Sequence, residues 1–149
     1  MCPSSSEVTG FLKQTSEIIK IDRKLGIAFG FAIVCKEIKD GKVEDYYDLQ
    51  GDHIPEDVML KAACDFALSE SRTGKAQHDK EERKGKVADV AFVFPLTEEV
   101  AKALDIRTER YGLLIGYKPT DAGVLDDIEK GVYTGFSLGG EGVREEVVA

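Results

Sequence analysis

Leu25-Gly26-Ile27-Ala28-Phe29-Gly30-Phe31-Ala32-Ile33-Val34-Cys35-Lys36-Glu37-Ile38 is the stretch whose reading decides the fold. It alternates poorly between apolar and polar residues but is rich in apolar and β-branched ones. That composition predicts a long buried strand rather than a half-exposed one. Its apolar core, Ile27 to Cys35, is interrupted by Gly30 and falls far short of the roughly 20 residues that span a membrane. Asp40-Gly41 then supplies a tight turn, and Val43 to Tyr47 can return as the second arm of a hairpin.

On the N-terminal side, residues 1–24 read as an extension that either docks or is removed. Phe11, Leu12, Ile18, Ile19 and Ile21 group loosely enough to suggest a helix from Val8 to Ile21. On the C-terminal side, Asp48 to Pro55 is a loop by its Gly and Pro. Pro55 sits where helices begin, with Glu56 and Asp57 at the positive end of the helix dipole. The helix is expected to reach Ser69 and to bury Val58, Ala62, Cys64, Phe66 and Leu68. Lys75 to Asp79 reads as a short strand before a charged loop, and Val87 to Phe94 as a strongly β-prone strand. Thr97 is a candidate N-cap for a helix over Glu98 to Leu104. Tyr111 to Tyr117 is a further strand. Thr120 or Asp121 caps a helix bearing Val124, Leu125, Ile128 and Val132, which Lys130-Gly131 ends. The order predicts one α+β domain over residues 25–149. Its sheet should be mainly antiparallel, strongly curved or closed as a β-barrel, with helices packed outside.

Composition narrows the function. The chain has 149 residues, 42% hydrophobic and 32% charged, enough to bury one core. With 28 acidic and 20 basic residues its formal net charge is −8. Such a surface repels nucleic-acid backbones, and no basic stripe interleaved with aromatics overrules that. The first residues lack the basic and apolar regions of a signal peptide, which points to a cytosolic setting. Three cysteines, Cys2, Cys35 and Cys64, form neither a disulfide framework nor a zinc pattern. Cys35 and Cys64 lie in apolar patterns and are expected to be buried thiols.

The chemistry centres on Thr134-Gly135-Phe136-Ser137-Leu138-Gly139-Gly140. On a strand, Gly135, Ser137 and Gly139 share one face while Phe136 and Leu138 take the other. A hydroxyl so cleared suits a reactive serine, although a glycine-softened strand with a small residue explains the same letters. A Ser-His pair needs one of two histidines. His53 lies in the Gly/Pro loop. His78 lies on an expected strand, which holds an imidazole more rigidly, and is the better base. Asp79 would point away from His78. Asp89 would lie diagonally from it if His78 stands opposite Val87. A solvent-facing Asp explains Asp89 as well.

Asp48-x-Gln50-Gly51-Asp52, Gln77-His78-Asp79 and Ile128-Glu129-Lys130-Gly131-x-Tyr133-Thr134-Gly135-Phe136-Ser137-x-Gly139-Gly140 follow in that order. They resemble the phage serine proteases of the XkdF type, relatives of tailed-phage prohead maturation proteases. The resemblance covers roughly Leu25 to Gly140. It implies a fold akin to the herpesvirus assembly protease, with Ser137 as nucleophile and His78 as base. It also implies substrates in the tails of scaffold and major capsid proteins, cut inside the prohead in the bacterial cytoplasm, without a metal or cofactor. A homo-oligomer is compatible with it; nucleic acid and membrane are not expected as partners. Only 12 residues follow Ser137, so the third catalytic member would be Asp89, or else Glu141, Glu145 or Glu146, or the site would be a dyad. Alternatives are an inactive assembly protein of the same fold and a cytosolic amidase or esterase using the same pair. The early end, at Val147-Val148-Ala149, suggests a fragment or a self-trimmed product.

Overall fold

A computed structural model of the chain describes residues 8–69, 73–75, 86–120, 122–131 and 135–145. The described chain is α+β, with seven strands in one sheet and three helices. The strands are β1 (Val8–Asp22), β2 (Ile27–Lys39), β3 (Lys42–Asp45), β4 (Thr73–Lys75), β5 (Lys86–Leu96), β6 (Arg110–Pro119) and β7 (Gly135–Arg144). The helices are α1 (Glu56–Leu68), α2 (Glu98–Ala103) and α3 (Ala122–Glu129). The order across the sheet is β4-β5-β6-β2-β1-β7, with β3 added to β2, and every pairing is antiparallel.

The sheet is open. β4 and β7 stand at its two ends, and no described residue of one pairs with the other. This corrects the expected barrel or strongly curved sheet, and with it the likeness to the herpesvirus assembly protease fold. Closure requires the first and last strands to meet, a long-range pairing that no local pattern specifies.

The decisive stretch does form the central strand. β2 pairs with β6 from Ala28 to Glu37, with β1 from Ile27 to Gly30 and with β3 from Lys36 to Lys39. The β2–β3 hairpin closes as the sequence predicts: Asp40 and Gly41 both take positive φ (50° and 75°), as a two-residue type I′ turn demands. A second expectation fails at β1. Residues 8–22 are strand, not helix, because β7 pairs with their first ten residues and β2 with their last. Tertiary partners outweigh a loose helical spacing, and Thr9, Thr15 and the isoleucines suit a strand as well.

Helices cover both faces. Leu113 on β6 packs with Ile33, Cys35, Met59 and Ala63, placing α1 on one face. Val124 and Ile128 of α3 meet Ala28, Ile115 and Tyr117 on that same face, since Ile115 touches both clusters. Leu114, the next residue, joins Phe31, Val34, Leu96 and Ala101, so α2 covers the opposite face. The face that α1 buries is not the expected one. Met59 and Ala63 are inside, whereas Val58 is 53% and Leu68 80% exposed. Asp57, Lys61 and Asp65 mark the outward stripe of this helix, and Met59 and Ala63 lie opposite it.

Candidate active site

Ser137 lies on β7, two residues inside its start. Gly131 takes a positive φ (78°) just past the end of α3 and stops that helix. In the β1–β7 register Ser137 stands opposite Thr15, Gly139 opposite Lys13 and Gly140 opposite Leu12. Three positions further along β1, Ile18 leaves β7 and pairs with Gly30 on β2. Ser137 therefore sits next to the junction where β1 is handed from the serine strand to the central strand. Among the described residues β7 pairs with β1 alone. Its outer edge is the place in this sheet where an extended polypeptide can add as a further strand beside Ser137.

His78 and Asp79 lie outside the described residues. They follow β4, which stands at the other end of the strand order from β7. Asp89 is half-buried on β5, opposite Lys118 on β6 and Thr73 on β4. The expected register, with His78 facing Val87, requires Ala76 opposite Asp89, so the observed β4–β5 register differs by three positions. Strands β6, β2 and β1 intervene between Asp89 and the serine strand. At about 4.8 Å per strand, that is roughly 19 Å across the sheet. The sheet does not bring Asp89 alongside Ser137. Of the glutamates, Glu141 lies on β7 opposite Phe11, Glu145 just follows the strand, and Glu146 is outside the described residues.

The other histidine is well placed but elsewhere. His53 is three-quarters or more buried in the β3–α1 connection, with Nδ1 at 2.9 Å from the Tyr46 carbonyl and Nε2 at 3.8 Å from Asp45 Oδ1. Its loop is tied by Asp48, whose Oδ1 accepts the amides of Gln50 and Asp52. The place of His53 in a Gly/Pro loop predicts an ordinary, partly exposed residue. The alternation of Asp45, Asp48, Asp52 and His53 around Gly51 was the available signal for an ordered turn.

The thiols offer no rival nucleophile in the described core. Burial, then the Glu56 carboxylate, push the Cys35 thiol up to about 12, partly opposed by Lys36. Cys35 therefore stays protonated and inert. Cys64 is exposed on α1, against expectation, because α1 buries the Met59–Ala63 side. Cys2 lies outside the described residues. Among those residues no group of three or more His, Cys, Asp and Glu side chains is arranged to hold a metal ion. Lys36 instead bridges two helix starts, approaching Glu56 at 3.7 Å and Glu98 at 4.0 Å.

No curated protein and no solved structure matches the chain. One family model does, described as "Putative phage serine protease XkdF", over residues 32–146. That span includes the second half of β2, all three helices, the positions of His78 and Asp89, and the serine strand. With well over half of its length matched, the chain belongs to the XkdF-type phage serine protease family.

Proposed function

We propose that the chain is a serine endopeptidase of the phage prohead maturation type. Ser137 would attack the scissile carbonyl and His78 would take its proton and later return it to the leaving amine. Backbone N–H groups around Gly139 and Gly140 would hold the oxyanion. The observation that carries this reading is the family match, which runs through both residues. The position of Ser137 on a strand with one edge unpaired among the described residues supports it, since a protein tail is read as an extended chain. Substrates would be the tails of scaffold and major capsid proteins, cut inside the prohead in the host cytoplasm.

For the group behind the imidazole, two carboxylates compete. The sequence points to Asp89, and Glu141 shares the strand of Ser137. Three strands lie between Asp89 and the strand that Glu141 shares with Ser137.

A fluorophosphonate probe followed by peptide mapping tests the nucleophile. Labelling should fall on Ser137 and vanish in Ser137→Ala, with the melting temperature unchanged. Cleavage of a capsid-protein tail should drop by at least about 10³-fold in Ser137→Ala and in His78→Ala. Labelling that survives Ser137→Ala would sink the assignment. A comparable loss in Glu141→Gln but not Asp89→Asn places Glu141 behind the imidazole; the reverse restores Asp89.

A further inference from the structure

The end of α3 breaks a local rule. Asp126, Asp127 and Glu129 crowd its last turn, where the helix dipole favours cations, and that turn holds no basic residue. Asp126 and Glu129 stand three residues apart, close enough on a helix for like charges to repel. Arg23, from the turn between β1 and β2, compensates both. Its Nε and Nη2 take the two carboxylate oxygens of Glu129 as a bidentate pair, and its Nη1 lies 3.3 Å from Asp126 Oδ1. The turn that carries Arg23 is itself tied. The Leu25 amide donates to the Asp22 carboxylate at 2.9 Å, and the Gly26 amide to the Asp22 carbonyl at 2.8 Å. Beside the ion pairs, Val124 and Ile128 cluster with Ala28, and Ile21, the β1 partner of Ala28, packs against them. Apolar contact of this kind seats the helix but is non-directional. The planar guanidinium fork fixes where the helix ends.

The serine strand starts from this helix end. Gly135, the first residue of β7, stands opposite Glu17 on β1, while Glu129 is held by Arg23 just past the other end of β1. Six residues separate Glu17 from Arg23, and six separate Glu129 from Gly135. Six extended residues reach at most about 22 Å, and six residues of strand rise about 20 Å. The 130–134 connection therefore has little slack, and the place of Glu129 limits where β7 can begin. β7 needs such a limit, because Gly135, Gly139, Gly140 and Gly142 make up four of its ten residues. Glycine-rich strands specify their register weakly, and a slip of one residue exchanges the face on which Ser137 stands.

We propose that Arg23 is a positioning residue, which pins the register of the serine strand by clamping Glu129 and Asp126 at the end of α3. Its bearing on cleavage rests on the reading of Ser137 as nucleophile; its hold on β7 does not.

Amide hydrogen exchange and cleavage kinetics of the full chain test the clamp together. In Arg23→Ala, exchange over residues 135–138 should speed up about three- to ten-fold, the range a half-exposed bidentate network supports, with β5 and β6 unchanged. The kcat/KM for a capsid-protein tail and the rate of fluorophosphonate labelling at Ser137 should fall together, by about two- to ten-fold, as fewer molecules hold the serine in register. Glu129→Gln should reproduce both effects. Arg23→Lys should recover them only in part, since an ammonium cannot form the fork. The reversed pair, Arg23→Glu with Glu129→Arg, should restore both. Exchange over 135–138 that keeps the wild-type rate in Arg23→Ala and in Glu129→Gln overturns the clamp. Acceleration that spreads equally to β6 does so too, since it marks a general loss of stability. Faster exchange with both rates at Ser137 unchanged overturns the positioning role. If exchange responds as expected while the wild-type chain neither cleaves nor labels at Ser137, the clamp stands and the assignment of the nucleophile fails.

Discussion

β6 and β7 are both ten-residue antiparallel strands rich in glycine, and they live in opposite surroundings. β6 is flanked by β2 and β5 and covered by α1 on one face and α2 on the other. β7 has β1 as its partner among the described residues. The glycines differ accordingly. A Cβ on Gly112 of β6 would lie 2.0 Å from the Ile33 carbonyl oxygen, where β2 makes its irregular turns of register. Gly116 leaves room for Phe92 and Phe29, from the two neighbouring strands, to stack across it with centroids 6.2 Å apart. Glycine in β6 is a demand of close packing. In the serine strand, which carries Gly135, Gly139, Gly140 and Gly142, the described residues supply one neighbouring strand, β1, rather than two.

The largest effect that separates the two strands is expected at Gly112. In Gly112→Ala the new methyl meets backbone atoms alone, Ile33 O, Ile33 C and Val34 Cα, which cannot swing aside as a side chain can. The loss of stability should exceed about 4 kcal/mol, and the variant should be largely insoluble or molten by circular dichroism. Ser137→Ala, by contrast, should keep its melting temperature. A well-folded Gly112→Ala protein would show that β2 and β6 have more slack than their register implies.

A second test sets the strand beside β6 against the surface. Cys35, on β2, has a thiol raised to about 12 by burial and by Glu56, while Cys64 is exposed on α1. A group whose folded value lies above its unfolded value favours folding below the unfolded value. That advantage disappears as the pH climbs from about 9 toward about 12. Stability should therefore fall across this alkaline window, with Cys35 contributing a slope of up to about 1.4 kcal/mol per pH unit. Urea denaturation of wild type and Cys35→Ala at several alkaline pH values isolates that share. Disulfide-exchange labelling of the native protein should lose one fast-reacting thiol in Cys64→Ser and none in Cys35→Ala. Equal slopes in wild type and Cys35→Ala would mean that the core admits hydroxide or water.

The same contrast explains what the sequence made legible. Features settled by a few adjacent residues came through: the Asp40-Gly41 turn, Pro55 before α1, Thr97 before α2 and Gly131 after α3. Features settled by distant partners did not. β1 has helical-looking spacing until β7 pairs with it, and β4 meets Asp89 through Thr73 rather than Ala76. α1 buries Met59 and Ala63 against Ile33 and Leu113, a line that the expected Val58, Ala62, Cys64, Phe66 and Leu68 miss. The candidate site divides in the same way. Ser137 stands out as a candidate because its glycines are neighbours in sequence, and the strand expected around it is β7. The choice of Asp89 rests on a strand register, and the observed β4–β5 register differs from the expected one.

The smallest of these effects concerns the helix that gives β6 its second covered face. Thr97 is buried, and its Oγ1 accepts the Val100 amide at 3.2 Å, satisfying one of the unpaired donors at the start of α2. Glu98 and Glu99 add negative charge to that first turn. Thr97→Ala removes the cap and should cost about 1 kcal/mol, while Thr97→Ser should recover most of it. Because α2 packs on Phe31, Val34, Leu96 and Leu114, fraying it loosens one face of β6 and leaves β7 untouched. Hydrogen exchange should accordingly speed up at Leu114 and its neighbours in Thr97→Ala, with no change along residues 135–144. Equal acceleration in both strands would mean that β6 and β7 unfold as one cooperative unit, and the contrast between them would then be one of packing alone.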